Sequence, residues 1–327
     1  MPAFLLIQTA FTGDVVLATA VAEKLRSAYP DSRIDIVVRK GNESLLKAHP
    51  YFVKIWVWDK QKNKLRNLFS LARRIRKAGY THVINLHRFA SSGILTVLSG
   101  APDTRGFDKN PLSFLFKKRF PHLISAPSDP HPVHETARNQ SLIADLTDHA
   151  PALPRLYPTS EDQAKARSFV RRPYYVIAPA SVWFTKQFPP QKWIELVAAL
   201  PADKDVFLIG GPADHALAES IAAGSGGRAQ NLCGQLSFLA SAALMQGAVM
   251  NYVNDSAPLH FCSATDAPVT AVFCSTVPAF GFGPLSPQGR VAQVEGLYCK
   301  PCGLHGYKAC PEGHFRCALD LPIDHLL

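Results

Sequence analysis

Two successive runs of short apolar segments, each alternating with helix-period stretches, constrain this chain most. A parallel strand pair needs a crossover of a dozen residues or more, usually a helix, so such alternation reads as parallel α/β units. In the first run, residues 4–8, 34–38, 55–58 and 82–86 read as strands, and 15–28, 65–77 and 133–146 as helices. Residues 150–159, APALPRLYPT, carry three prolines in ten and read as a linker. In the second run, 175–178, 206–209, 249–253 and 269–273 read as strands, and 191–200, 214–223 and 238–246 as helices. The C-terminal tail is rich in Pro, Gly and Cys and reads as irregular. The expectation is an α/β protein of two doubly wound domains, 1–155 and 156–327, facing across a cleft. A ligand then belongs at the carboxyl ends of the strands.

Composition removes several classes. Hydrophobic residues at 47% exclude a disordered chain, and charged residues at 18% exclude a coiled coil. No apolar run approaches the ~18 residues of a membrane span. The start, MPAFLLIQTAFTGD, lacks a basic region and meets Asp14 too early for a signal peptide, so the chain reads as mature and cytoplasmic. The net charge of +10 favours an anionic partner: nucleotide phosphates, an acidic membrane face or nucleic acid. No nucleic-acid motif is present and the aromatics form no stacking platform, so nucleic acid is disfavoured. Also absent are G-x-G-x-x-G after the first strand, G-x-x-x-x-G-K-[ST] and G-x-S-x-G.

Four loops could carry chemistry, and each has a structural reading beside the functional one. In the first loop Gly13 permits a tight turn, and Asp14 is either a helix N-cap or a general base. Lys186 lies between a strand end and Pro189, as a phosphate contact or as a solvated lysine. Gly210 and Gly211 end a strand, and Asp214 beyond them suits ribose hydroxyls or a turn cap. Asp255 and Ser256 precede a helix whose first N–H groups, through Ala257 and His260, would make an anion site.

From Lys60 to Lys77 there are eight basic residues and no acid, with an apolar stripe at helical spacing. This is an ordinary surface helix or a dock for an anionic acceptor or membrane surface. Residues 111–120, PLSFLFKKRF, are a second candidate, with a buried loop as the alternative. Cys299, Cys302, Cys310 and Cys317 fit a tetrahedral structural Zn²⁺, with reduced thiols or a labile disulfide as alternatives. Cys233, Cys262 and Cys274 sit in apolar contexts and read as core.

Taken in order, the segments TGD at 12–14, AGYTHVINLH at 78–87, SGAPDTRGF at 99–107, His134 with Arg138 and Asn139, K-x-x-P at 186–189 with Trp193, GGPADH at 210–215 and NDSAPLHF at 254–261 resemble glycosyltransferase family 9, the bacterial heptosyltransferases. The resemblance implies a GT-B fold of two Rossmann-like domains, the first binding acceptor and the second nucleotide-sugar. It implies inverting transfer of a heptose or related sugar from an ADP-sugar to a lipid-linked lipopolysaccharide acceptor, on the inner face of the cytoplasmic membrane, with no required cofactor. Asp14 and Lys186 are the implied catalytic residues. Thr12, Gly13, Lys186, Gly210, Gly211, Asp214, Asp255, Ser256, Ala257 and His260 are the implied donor contacts. Acceptor contacts fall on His87, Arg88, Lys62, Lys64, Arg66 and His134. The chain departs from the family pattern at Ala257, where a glycine is usual, and at His87-Arg88, where Gln-Gly is common. The rival readings are a non-catalytic nucleotide-sugar binder and a basic membrane-surface adaptor on the same fold.

Overall fold

The computed structural model describes residues 1–327 and divides into two units. The first comprises Met1–Ile124 and Glu135–Tyr157; the second comprises Ser125–His134 and Pro158–Leu327. The chain therefore passes between them three times, and His134 falls in the second unit. The proline-rich stretch is tied to the first unit up to Tyr157. Lys24 Nζ donates to the Ala150 carbonyl at 2.7 Å, Arg155 N–H to Thr19 Oγ1 at 2.9 Å, and Tyr157 O–H to Glu23 Oε1 at 2.7 Å.

The first unit runs β1 (Ala3–Ile7), α1 (Thr12–Ala28), β2 (Arg33–Arg39), β3 (Phe52–Trp58), α2 (Lys64–Lys77), β4 (His82–Asn85), α3 (Ala90–Leu98), β5 (Asp103–Phe107), β6 (Lys118–Phe120) and α4 (Glu135–Ser141). Its six strands are all parallel, in the order β3-β2-β1-β4-β5-β6. Phe4, Leu5, Leu6 and Ile7 of β1 are fully buried. Helices on both faces explain why that strand reads as a continuous apolar run rather than an alternation. The chain leaves β1 towards β2 and β3, then returns to the other side at β4. The loops after β1 and β4 thus flank the point where strand order reverses, which is where open α/β sheets bind ligands.

The second unit contains α5 (Ser160–Arg167), β7 (Tyr174–Ala178), α6 (Pro190–Ala199), β8 (Asp205–Leu208), α7 (His215–Gly224), β9 (Ala229–Asn231), α8 (Phe238–Gln246), β10 (Met250–Asn254), α9 (Ala257–Thr265), β11 (Val269–Val272), β12 (Gly289–Ala292) and α10 (Arg316–Leu319). Its sheet repeats the plan, all parallel, in the order β12-β11-β10-β7-β8-β9. Here the reversal lies between β7 and β10. Trp193, Leu196 and Val197 of α6 bury their side chains against Ile177 and Leu208 of the sheet in one core.

Several elements differ from the sequence reading. The helix expected over 133–146 contracts to α4. The first helix begins at Thr12, before the expected Val15. The elements α3, β5, β6, α5, β9, β12 and α10 had no counterpart in the pattern.

Candidate functional site

In the first unit, the loop after β1 and the loop after β4 meet at the reversal point. Asp14 is the third residue of α1, not its N-cap; that position is Phe11. The Asp14 carboxylate accepts the Phe11 N–H at 3.2 Å, so it caps by reaching backward. Gly13 is buried inside the first helical turn, and its φ is not in the left-handed region, so it makes no tight turn. Thr12 O–H donates to Asn42 Oδ1 at 3.1 Å, tying the helix start to the turn after β2. Arg39, from the end of β2, lies over the Phe11 ring at 4.8 Å. Burial lowers its pKa, while the Asp14 charge opposes that.

His87, just past β4, is buried, and its Nδ1 lies 2.9 Å from Thr9 Oγ1. Burial first, then the charges of Lys60 and Arg88, push its pKa down to about 3, so the imidazole is neutral. Arg88 beside it is half-buried. Lys60 Nζ donates to the Thr9 carbonyl at 2.6 Å and lies over the Trp58 ring. Its pKa is lowered to about 8 by burial, then by the neighbouring charges of Arg39 and Lys64. Lys62, Lys64 and Arg66 are exposed at the start of α2.

Sequence reasoning gave no site role to Arg39 or Glu135, and it gave Lys60 only a share in the basic run 60–77 read as a dock or a surface helix. Glu135 opens α4, is 6% exposed and pairs with Arg138 one turn on. The E-x-x-R spacing of 135–138 was a readable sign of that pair. The positions of Arg39 and Lys60 depend on which strand lies beside which, and carried no local signal.

In the second unit, the loops after β7 and β10 converge at the equivalent reversal point. Lys186 Nζ pairs with Asp255 Oδ2 at 2.7 Å, and Thr276 O–H donates to the same oxygen at 2.6 Å. Asn254 accepts the Phe188 N–H at 2.9 Å and donates to the Pro179 carbonyl at 2.7 Å, which fixes the Lys186 loop to the end of β10. Ser256 holds the N-cap backbone position of α9, but its side chain makes no cap bond. Ala257 is the first helical residue, and Pro258 removes one donor from the first turn. His260 is 4% exposed, with no partner for Nδ1. Burial, then the charge of His134, lowers its pKa to about 3. His134 Nε2 lies 3.1 Å from the Gly283 carbonyl, within the second unit.

At the end of β8, Asp214 Oδ2 accepts the Gly211 N–H at 2.7 Å. A Cβ on Gly210 would lie 2.7 Å from that oxygen and 3.0 Å from Cys233 Sγ. Glycine there is required by the chain's own packing, without a ligand; on Gly211 the same test meets only Asp214 Oδ2, at 3.6 Å.

Zinc is one of three readings of the four tail cysteines, and the structure forms no site for it. No group of three or more His, Cys, Asp or Glu side chains is arranged to hold a metal. All seven cysteines are free. Cys317 is buried in the apolar core of the second unit, and burial pushes its thiol up to about 12. Cys302 Sγ donates to the Cys299 carbonyl at 3.2 Å, and Cys310 Sγ accepts the Phe315 N–H at 3.4 Å. The tail instead braces the Lys186 loop. Cys302 N–H donates to the Ser275 carbonyl at 2.8 Å, Ser275 O–H to Thr185 Oγ1 at 3.0 Å, and Tyr307 N–H to Thr185 Oγ1 at 2.7 Å. Cys233, Cys262 and Cys274 are buried, as expected.

Residues 68–309 match the family described as glycosyltransferase family 9 (heptosyltransferase). The chain belongs to glycosyltransferase family 9. As a family 9 member it is a glycosyltransferase. Lipopolysaccharide heptosyltransferase 3 of Escherichia coli strain K12 is 27% identical over 281 residues, covering 81% of this chain and 80% of that protein. E. coli ADP-heptose lps heptosyltransferase II shares the fold with a TM-score of 0.80 at 18% identity, over 99% of this chain and 96% of that one. E. coli heptosyltransferase WaaC, solved with ADP, shares it with a TM-score of 0.69 at 19% identity, over 88% and 92%. The GT-B class expected of this family 9 chain is thus its observed fold.

Proposed function

We propose that this chain transfers a heptose from an ADP-sugar to a lipopolysaccharide-core acceptor, with inversion at the anomeric carbon. The observation that carries the reading is the Lys186–Asp255 pair at the start of α9. It places a cation, held in position by a carboxylate, beside a helix N-terminus at the strand-order reversal of the second sheet. Such a place favours the diphosphate of a nucleotide sugar. Asp255 acts here through Lys186, which it orients.

As the glycosidic bond to the diphosphate breaks, charge develops on the leaving group. Lys186 and the N–H groups of Ser256 and Ala257 stabilise it without a required cofactor. Asp214 and the Gly210-Gly211 turn take the ribose side, and His260 lies beneath the α9 turn as a neutral ring. Asp14, with Thr12 and Gly13 setting the helix start that presents it, accepts the proton of the acceptor hydroxyl as the new bond forms. The first unit, 1–155 in the sequence reading, takes the acceptor. The second unit, Pro158–Leu327 with Ser125–His134 where the sequence reading had 156–327, takes the donor.

The acceptor is anionic in this reading. His87 and Arg88 line its approach, with Lys60 as a half-buried cation beside them. Lys62, Lys64 and Arg66 extend the positive field from the start of α2. Basic charge there opposes the helix dipole, so it does not serve the helix itself. The same face docks the enzyme peripherally on an acidic membrane surface at the cytoplasmic side, and residues 111–120, with Phe114 and Leu115 exposed, are a second candidate for that interface. No helix is long and apolar enough to cross a membrane. His134 falls in the second unit, against the Gly283 carbonyl, and is not placed with the other acceptor residues. A non-catalytic binder would need no base and is set aside in favour of the transferase.

Incubation of the purified enzyme with ADP-heptose and a heptose-deficient core glycolipid tests the proposal. Mass spectrometry should show the acceptor gaining one heptose residue with release of ADP. Loss of ADP-heptose only to water, with no acceptor product, would refute it.

A further inference from the structure

The mechanism above leaves one buried carboxyl unused. Glu135 is the first residue of α4, a helix that packs against α1, and Asp14 lies in the first turn of α1. Glu135 is 6% exposed, and Arg138, 4% exposed, is its ion-pair partner. Arg138 is itself anchored, donating Nε–H to the Leu123 carbonyl at 2.7 Å. The pair therefore has a fixed geometry. An acid this deeply buried, with one guanidinium and a nearby carboxylate, has a net field that its own ionisation changes sharply.

The groups that act on Glu135 come from three elements. Arg138 on α4 favours its ionised form, and Arg88 from the loop after β4 adds to that. Asp14 on α1 opposes it, and burial opposes it more strongly than any of them. Burial wins, and the pKa stands at about 7. The interaction with Asp14 is reciprocal: if the Asp14 charge disfavours ionised Glu135, ionised Glu135 makes Asp14 a stronger base.

We propose that Glu135 is a positioning residue for Asp14, a second carboxyl clamped by Arg138 whose ionisation raises the affinity of Asp14 for the acceptor proton. Glu135 touches neither substrate. It acts by charge through Asp14, and it couples turnover to pH near neutrality. This rests on the transferase reading for its effect on rate, but the coupling of the two carboxyls does not.

Two measurements test it. First, kcat/KM is followed from about pH 6 to about pH 8.5 for wild type and Glu135→Gln. Titration of Lys60 and of substrate groups is common to both and cancels in the ratio. The wild-type to variant ratio should rise about threefold or more with pH, because only wild type gains the second negative charge. A ratio constant with pH would show a merely structural carboxyl and overturn the proposal. Second, the carboxyl ¹³C resonance of Glu135 is titrated in the protein labelled at glutamate, assigned by its loss in Glu135→Gln or, if that variant does not fold, in Glu135→Asp. In Asp14→Asn its midpoint should fall by about half a pH unit or more, since a negative neighbour has been removed. An unmoved midpoint would overturn the coupling whatever the activity. A moved midpoint in a protein that fails to transfer heptose would keep the coupling and discard the transferase reading.

Discussion

Lys186 Nζ lies 2.7 Å from Asp255 Oδ2, joining the loop after β7 to the residue that follows β10. The pair bridges the two strands at which the order of the second sheet reverses, and Thr276 O–H completes the carboxylate's contacts. A charge-assisted hydrogen bond from the Lys186 ammonium so held to a phosphate oxygen contributes about 1.5–3 kcal/mol. Lys186→Ala should therefore weaken ADP binding by about tenfold or more, since about 1.4 kcal/mol is a factor of ten. Calorimetry with ADP checks this; an unchanged dissociation constant would remove Lys186 from the phosphate site.

Gly306 has φ +76°, and a Cβ there would lie 3.0 Å from both Lys186 Cγ and Thr185 Oγ1. A side chain in the left-handed region costs about 1–2 kcal/mol before any clash. Gly306→Ala should lower the melting temperature by several degrees and weaken ADP binding, because the displaced Lys186 stem carries the ammonium with it. Thermal unfolding and calorimetry on the same variant check both effects. A loss of stability with full ADP affinity would separate the tail from the site.

His87 and His260 are buried neutral, each with a pKa lowered to about 3 by burial. The unfolded chain binds protons on these rings from about pH 6.5 downward, and the folded chain does not until about pH 3. Between those values the unfolded state holds more protons, so their contribution to stability falls as pH falls. His87→Asn should flatten this acid slope by about one proton, measured as the change in urea midpoint between about pH 7 and about pH 5. An identical slope in wild type and variant would mean that the ring is protonated in the folded protein.

The amphipathic and alternating parts of this chain announced themselves, and the charged, buried parts did not. The strand–turn–helix at 250–265 was readable because an apolar run, a polar turn and a helical stripe follow one another. Strand β5, DTRGF, was missed because a buried strand with two charges breaks the apolar pattern. Arg105 is 1% exposed there only because Asp103 and Asp145 neutralise it, and Asp145 lies far along the chain. Helix α3, ASSGILTVL, was missed because two serines and Gly93 weaken its pattern. Gly93 is nonetheless required, since a Cβ would clash with Asn110 Oδ1. The candidate residues were legible as loops at strand ends. Which of them pair, and that Lys60 folds back onto Thr9, depended on strand order that no local pattern states.

Lys62, Lys64 and Arg66 are exposed, so their charge can be changed without disturbing the core. Replacing all three with Glu should leave the melting temperature nearly unchanged. It should abolish cosedimentation with phosphatidylglycerol vesicles at low salt, since each basic residue near an acidic surface contributes about 1 kcal/mol. Wild-type protein that ignores such vesicles, yet loses acceptor affinity in the triple variant, would restrict the patch to acceptor binding.

In this mechanism Asp14 removes the acceptor proton while the second unit holds the donor. Asp14→Asn is its most direct test, because asparagine keeps an oxygen for the Phe11 N–H and removes the base. One sample is measured twice, for ADP affinity by calorimetry and for heptose transfer by mass spectrometry. ADP affinity should stay within about twofold of wild type, and transfer should fall by about 10²–10⁴. Transfer by Asp14→Asn at close to the wild-type rate would contradict it.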